Sequence, residues 1–499
     1  MMYESTRGGV APVTAAEAIK LGIAPDGGLF VPVGIPEVSL EALGAMTGWS
    51  YRERASFILR LFLSDYTEDE ISQCVADAYN ERAFDHPAVA PLYHLDERVS
   101  VLELWHGPTS AFKDMALQIL PHLLTRAAAK TGDTGTIVIL VATSGDTGKA
   151  ALEGFKDVPQ TRIIVFYPQD GVSLVQKLQM VTQEGGNVDV VAVCGNFDDA
   201  QNGVKEIFGD SGLAGELDKR AYRLSSANSI NWGRLAPQIV YYYSAYLDLL
   251  AEKRITLGEK INFVVPTGNF GNILAAYYAK EMGLPVNRLI CASNANNVLT
   301  DFIRTGEYKS DRHFWKTISP SMDILISSNL ERLLYHLNGR QAGKTREWMG
   351  ALQDRALYQI DPETLAGISR LFWPGCADDR ATLHTINAVY QEYRYVMDTH
   401  TGVGFNVYEQ YRRETGDTTK TVVASTASPF KFNTSVTQAI LGAEQIEGKD
   451  EIELLEVLSR TSGLDIPAGL RGIDAKPVRH MRSTDKGRLM EQVREILGI

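Results

Sequence analysis

The stretch Ile137-Val138-Ile139-Leu140-Val141-Ala142-Thr143-Ser144-Gly145-Asp146-Thr147-Gly148 reads as a strand, a polar turn and a helix start. Ile137 to Val141 is an apolar, β-branched run, and a helical pattern begins at Lys149. In the turn, backbone N–H groups and the hydroxyls of Thr143, Ser144 and Thr147 converge on one spot, which suits a carboxylate or a phosphate. An ordinary βα connection with N-cap residues has the same local pattern. The unit recurs at Ile261–Val265, where Pro266-Thr267-Gly268-Asn269-Phe270-Gly271-Asn272 separates a strand from a helix over 273–280. Its two glycines let backbone approach a ligand closely.

Working outward, short β-branched runs at Thr136–Val141, Arg162–Tyr167, Val188–Val193, Ile261–Val265, Leu289–Ser293 and Thr421–Ser425 alternate with helical stretches such as Phe197–Phe208 and Leu235–Lys253. This rhythm predicts parallel sheets covered on both faces. Before residue 96 the chain is turn-rich, with helices expected over Tyr51–Leu63 and Glu68–Asn80. Between about 300 and 400 it turns helical (323–339, 346–358 and 379–398), which predicts an insertion into the larger α/β domain. A charged helix is expected over Asp485–Leu497.

At 499 residues the chain exceeds one ordinary core, so two or three domains are expected. A net charge of −12 without a basic block argues against a nucleic-acid partner. Cys74, Cys194, Cys291 and Cys376 are far apart in sequence, and the nine histidines show no ligand spacing, so buried free thiols and no metal site are expected. The opening residues lack a basic region followed by an apolar run, and no apolar stretch has membrane-spanning length. The expected compartment is therefore the cytoplasm, with no membrane partner.

Two further stretches carry chemistry. In His106-Gly107-Pro108-Thr109-Ser110-Ala111-Phe112-Lys113-Asp114 a lysine follows a Gly-Pro turn at a helix start, and Met115 to Leu124 has helical spacing. Partial burial and the positive helix end both lower a lysine's pKa, as an amine that condenses with an aldehyde requires. In Ser225-Ser226-Ala227-Asn228-Ser229-Ile230-Asn231-Trp232-Gly233-Arg234, an amide, a hydroxyl and a guanidinium precede a long helix. Neutral donors plus a planar two-pronged cation are what a phosphate monoester needs, although an N-capped helix with a solvated arginine has the same letters.

Together, in this order, these stretches resemble the threonine synthases, pyridoxal-phosphate enzymes of fold type II. The resemblance extends from Tyr3-Glu4-Ser5-Thr6-Arg7-Gly8 and Ala24-Pro25-Asp26-Gly27-Gly28-Leu29-Phe30-Val31-Pro32 to Ser425-Thr426-Ala427-Ser428-Pro429-Phe430-Lys431-Phe432. It implies a tryptophan synthase β-like α/β architecture: two doubly wound domains, an N-terminal domain and a helical insertion. The implied boundaries are 1–95 for the N-terminal domain, 96–136 with 223–499 for the large domain, and 137–222 for the small one.

The resemblance also implies roles. Lys113 holds the cofactor's aldehyde carbon and shuttles protons. Gly268, Asn269, Phe270, Gly271 and Asn272 cradle the cofactor's phosphate, Asp146 lies near its phenolic oxygen, and Thr426 meets its pyridine nitrogen, with the adjacent Ser425 as the alternative. Thr143, Ser144 and Thr147 receive the substrate's α-carboxylate, and Asn228, Ser229 and Arg234 its phosphate. Asp398-Thr399-His400-Thr401-Gly402-Val403-Gly404 matches a family stretch at the active-site wall, without a chemical role for His400. The implied reaction converts O-phospho-L-homoserine and water to L-threonine and phosphate, in a monomer or homodimer. Two alternatives stand beside it: a phospho-lyase releasing 2-oxobutanoate, and a non-catalytic phosphate-binding protein of the same fold.

Overall fold

Four sheets organise the chain. The computed structural model describes the backbone of residues 1–499 and every side chain except that of Asp198. The largest sheet has six strands in the order Phe372–Cys376, Val286–Ser293, Ile261–Pro266, Thr421–Ser425, Val99–Glu103 and Leu92–His94. All are parallel except the last, and the register sets Val264 between Ile290 and Val423, with Val423 opposite Val101. Val264, Val423 and Val101 are fully buried, as a parallel sheet covered on both faces requires. The second sheet is wholly parallel, in the order Arg482–Asp485, Val188–Cys194, Thr161–Pro168, Thr136–Ala142 and Tyr222–Ser225. An antiparallel three-stranded sheet (Val13–Thr14, Met2–Ser5, Phe30–Pro32) forms the N-terminal unit, and a ribbon of Glu307–Lys309 with Leu357–Gln359 lies in the insertion.

The architecture is the α/β one expected, and the six β-branched runs are all strands. Several elements differ from expectation. Strands at 92–94, 99–103, 222–225, 372–376 and 482–485 carry weak or no β-branched signal. Trp373-Pro374-Gly375 in particular does not read as a strand, and it is tolerated because it sits on the sheet edge. The expected helix over 485–497 is shorter, Leu489–Leu497, because the preceding residues pair with Val191–Cys194. That return attaches the C-terminal tail to the second sheet, which an assignment of 223–499 to the large domain does not provide. The insertion's helices are Leu330–Leu337, Ala342–Arg355, Pro362–Leu371 and Asp379–Tyr393, and the first is much shorter than the pattern over 323–339. Cys194 is exposed and Cys376 half-buried, so only Cys74 and Cys291 are the buried thiols expected; all four are free. No helix among the described residues is long and apolar enough to cross a membrane, and none of their side-chain clusters could hold a metal.

Candidate active site

Four loops leave the carboxyl ends of parallel strands and meet. Thr143–Asp146 follows Thr136–Ala142, Thr267–Phe270 follows Ile261–Pro266, Thr426 follows Thr421–Ser425, and the Lys113 loop follows Val99–Glu103. In open α/β sheets this is where ligands bind.

The Lys113 loop is pinned before the lysine arrives. Asp114, fully buried, accepts from Thr109 N at 2.8 Å and from Thr109 Oγ1 at 2.7 Å. Burial pushes its carboxyl up to about 6. Ser110 takes a φ of 59°, and Phe112 N donates to Thr426 O at 2.8 Å, tying this loop to the end of the neighbouring strand. Lys113 then points inward, 8% exposed. Its ammonium donates to Asp146 Oδ2 at 3.3 Å and to Ser321 Oγ at 3.2 Å. Burial, helped by the nearby charges of Lys431 and Arg234, lowers its pKa despite Asp146.

Asp146 gathers the rest. It opens the helix Asp146–Phe155, 4% exposed. Oδ1 accepts from Lys431 Nζ at 2.9 Å and from Gln176 Nε2 at 3.1 Å, and Oδ2 also accepts from Ser321 Oγ at 3.1 Å. Burial alone would raise its pKa, but Lys431 and then Lys113 outweigh that and hold it well below the usual range. An ionised Asp146 is an acceptor only, so its oxygens take hydrogen bonds and give none. Ser321 is fixed from behind: its N–H donates to His400 Nε2 at 3.1 Å, and His400 Nδ1 meets Asp398 Oδ1 at 2.8 Å.

The 143–147 turn divides its hydroxyls. Thr143 Oγ1 accepts from Gly145 N and Gly148 N, both at 2.9 Å, so it builds the turn and keeps only its hydrogen for a ligand. Ser144 and Thr147 are half-buried and make no side-chain hydrogen bond among the described residues. Gly145 is required: its φ is 136°, and a Cβ there would lie 2.6 Å from the Gln176 amide carbon.

The 267–272 turn is held by neutral groups. Phe270 adopts a left-handed φ of 63° and leads into the helix Gly271–Glu281, whose first turn has no side-chain cap. Those free N–H groups suit an anion. Asn272 accepts from Tyr241 and Tyr242 through Oδ1, at 2.5 and 2.6 Å, while its buried Nδ2 has no partner among the described residues. Asn329 donates N and Nδ2 to Asn269 O, each at 3.1 Å, and Ser327 Oγ donates to Gly268 O at 2.7 Å. Fully buried Arg332 binds Asn329 Oδ1, Phe30 O and Ile230 O at 2.5, 3.0 and 2.5 Å. Next to it, Glu331 accepts from Thr6 Oγ1 and Arg7, so the N-terminal stretch braces the wall behind this turn.

Asn228, Ser229 and Arg234 line the same interior. The Asn228 and Ser229 side chains make no hydrogen bond among the described residues, and a Cβ on Gly271 would lie 3.5 Å from Ser229 Cβ. Arg234 is 5% exposed and donates Nη1 to Ala227 O at 2.6 Å; no described carboxylate pairs with it. Burial lowers its pKa to about 10, which leaves it a cation at neutral pH. At the strand end, Ser425 Oγ is occupied by Trp105 Nε1 at 3.2 Å and Thr401 Oγ1 at 3.0 Å, whereas the Thr426 hydroxyl makes no such bond among the described residues.

The expected residues lie on these four loops, on the helix starts that follow two of them, or, for Asn228, Ser229 and Arg234, on the segment after Tyr222–Ser225. Sequence reasoning missed Lys431, Ser321 and Gln176, and the supports Ser327, Asn329 and Arg332; it placed Asp398 and His400 at the site's wall without the contact to Ser321 that they make. Lys431 stands inside a quoted stretch, and its distance in sequence from Asp146 hid the pair. A cleft of about 540 Å³ is lined by Lys149, Glu153, Gln183, Lys476 and the Gly107–Pro108 turn, but not by Lys113. Lys149 itself is engaged by Glu153 at 2.9 Å.

Residues 2–79 match the family described as Threonine synthase N terminus, residues 85–371 Pyridoxal-phosphate dependent enzyme, and residues 401–482 Threonine synthase, C-terminal. The chain is 40% identical over 443 residues to Threonine synthase of Pseudomonas aeruginosa, covering 89% of this chain and 91% of that one. It is also 40% identical over 435 residues to human Threonine synthase-like 1, covering 85% of this chain but only 58% of the human one. The chain thus spans less than two thirds of that relative's length. Among solved structures, PLP-bound threonine synthase from Brucella melitensis superposes with a TM-score of 0.87 at 37% identity, covering 99% of each chain. Threonine synthase from yeast gives 0.88 at 32%, covering 100% of this chain and 98% of that one.

Proposed function

Since the chain belongs to the threonine synthase family of pyridoxal-phosphate dependent enzymes, we propose that it converts O-phospho-L-homoserine and water to L-threonine and phosphate. The observation that carries this reading is Arg234, a buried guanidinium with no carboxylate partner among the described residues, close enough to Lys113 to lower its pKa. A desolvated, uncompensated cation suits an anionic substrate group.

The residues present also fit the cofactor. The uncapped helix start at Gly271 and the orphaned Asn272 Nδ2 suit its phosphate. Lys113 is a buried amine with a lowered pKa, and the Thr426 hydroxyl is uncommitted where Ser425 is not. When bound, pyridoxal phosphate supplies an electron sink for the substrate's Cα.

The remaining roles belong to the chain. Ser144 and Thr147, with the hydrogen of Thr143, hold the α-carboxylate. Lys113 takes the Cα proton and helps remove one at Cβ; after phosphate leaves, a proton is delivered to Cγ, which becomes the methyl group, and Lys113 returns one to Cα. Arg234, with Asn228 and Ser229, holds the phosphate ester at Cγ and keeps the departing phosphate in place. Asp146 stays ionised beside Lys113 and orients it. Lys113, Asp146 and Arg234 are buried, so bulk water is kept from them and a single water can be directed to Cβ.

A second reading rests on the same donors: Arg234, Asn228 and Ser229 would equally hold a phosphate ester for a lyase that releases 2-oxobutanoate. Incubating the cofactor-loaded protein with O-phospho-L-homoserine separates the two. Equal amounts of phosphate and threonine are expected. Phosphate with 2-oxobutanoate would establish the lyase, and no phosphate release would defeat both.

A further inference from the structure

We propose that Lys431 is a positioning residue for Lys113: it serves as the permanent counterion of Asp146, so that Lys113 can give up its proton and move without leaving a buried carboxylate unpaired. The inference rests on the reading of Lys113 as the reacting amine.

The geometry sets one buried carboxylate between two buried ammonium groups. Lys431, 3% exposed, donates to Asp146 Oδ1 at 2.9 Å and to Thr109 O at 3.0 Å. Lys113 holds the other oxygen at 3.3 Å, the longer contact of the two. The two cations face different fates. An amine that condenses with an aldehyde and carries protons must be neutral for part of each cycle. With Lys113 as its only partner, Asp146 would become a buried, uncompensated anion at each such moment, and that cost would pin the proton on Lys113.

Lys431 removes the conflict in two ways. It satisfies Asp146 independently of Lys113, and its own charge repels a proton on Lys113. It cannot substitute as the nucleophile, because the carbonyl of Thr109 and Asp146 Oδ1 anchor its ammonium. Lys431 comes from the turn Pro429–Phe432 and Asp146 from a helix start in the other sheet's layer, so the pair also joins the two α/β halves across the site. The other charged or titratable groups acting on Lys113, Asp146 or Lys431 are Arg234 from the helix Trp232–Leu235, His400 behind Ser321, and Asp114 at the start of Asp114–Leu117.

The test reads Lys113 directly, without turnover. The cofactor-free full chain is acetylated briefly with acetic anhydride across a pH series, and modification of Lys113 is followed by peptide mass spectrometry. In Lys431→Met the Lys113 midpoint should rise by about one pH unit or more, which is about tenfold slower labelling at neutral pH. Lys431→Arg should stay near wild type because it keeps the charge. Asp146→Asn added to Lys431→Met should restore the labelling, since no anion then needs a partner. An unchanged midpoint in Lys431→Met, or a double variant as slow as the single one, overturns the proposal. If Lys431→Met does not fold, the double variant and Lys431→Arg still decide: the double variant should fold and label like wild type, and its failure to fold would mark Lys431 as structural only. Labelling at Lys113 does not depend on which product is released, so its outcome is independent of the substrate assignment.

Discussion

The two ends of the site are built differently. Around Lys113 the protein brings together formal charges, with Lys113, Asp146, Lys431 and Arg234 all at most 8% exposed. At the 267–272 turn it uses backbone N–H groups and neutral amides and hydroxyls, with Arg332 acting on carbonyls one layer behind. A proton-moving centre gains from charges that can be rebalanced, whereas a cofactor anchor should not change affinity as protons move. The difference predicts that substitutions at the first end alter chemistry and pH response, and those at the second alter cofactor retention.

The largest effect belongs to Lys113. On the proposed reading Lys113→Ala removes both the cofactor attachment and the proton carrier, and it should lower turnover by more than about 10³-fold. The fold should survive, because Lys431 still compensates Asp146. Thermal unfolding monitored beside activity checks both halves; collapse of the structure would mean that Lys113, not Lys431, is the main counterion.

Arg234→Ala should cost about 2–5 kcal/mol in kcat/KM for the phosphorylated substrate, roughly 30- to several-thousand-fold. An analogue without the phosphate should be nearly indifferent, and Arg234→Lys should recover only part. Equal losses for both ligands would mean that Arg234 supports the site generally.

Two glycines sharpen the contrast within the second end. A Cβ on Gly271 meets Asn329 Nδ2 at 3.4 Å and Ser229 Cβ at 3.5 Å, ordinary contacts, so Gly271→Val should fold yet hold the cofactor more weakly by blocking backbone approach. A Cβ on Gly268 would lie 2.7 Å from the Ser321 carbonyl oxygen. Gly268→Ala should therefore destabilise the protein by about 1–3 kcal/mol and disturb Ser321 beside Lys113. Cofactor retention on dialysis and melting temperature separate the two; a Gly271→Val protein that keeps cofactor as tightly as wild type would give this turn another job.

The smallest effect is a pH response at the base of the charged end. His106 bridges Asp85 Oδ1 at 2.6 Å and Glu103 Oε2 at 2.9 Å. Burial opposes its protonation, but the two carboxylates prevail and raise its pKa to about 9. A raised histidine pKa stabilises fully below the unfolded value of about 6.5, and that stability is lost as pH rises through the folded value. The wild-type protein should thus lose on the order of 2 kcal/mol between those pH values that His106→Gln does not lose. Parallel denaturant titrations check this; identical pH slopes would remove the bridge from the account.

How much of this the sequence revealed follows the same division. The 267–272 and 143–148 turns are contiguous, and each advertises itself as a strand, small polar residues and a helix start. The Lys113 stretch was legible for the same reason. The ion cluster was not, because Asp146, Gln176, Ser321, His400 and Lys431 come from separate elements, and a lone lysine or serine carries no local pattern. Asp146 was expected beside the cofactor's phenolic oxygen, and its charge is explained by the buried Lys431 and then by Lys113. The N-terminal Thr6-Arg7 stretch showed the family resemblance but not its job, which depends on Glu331 more than 300 residues away. The strand Phe372–Cys376 was invisible because a sheet edge accepts residues that a central strand would reject.

Turnover of O-phospho-L-homoserine in ¹⁸O-labelled water tests the central claim most directly. The account predicts threonine carrying the label in its hydroxyl group and unlabelled phosphate, because the C–O bond breaks at Cγ and water enters at Cβ. Label in the phosphate with homoserine as the product would mean simple ester hydrolysis, and a 2-oxo acid in place of threonine would mean a lyase; either result would contradict the assignment.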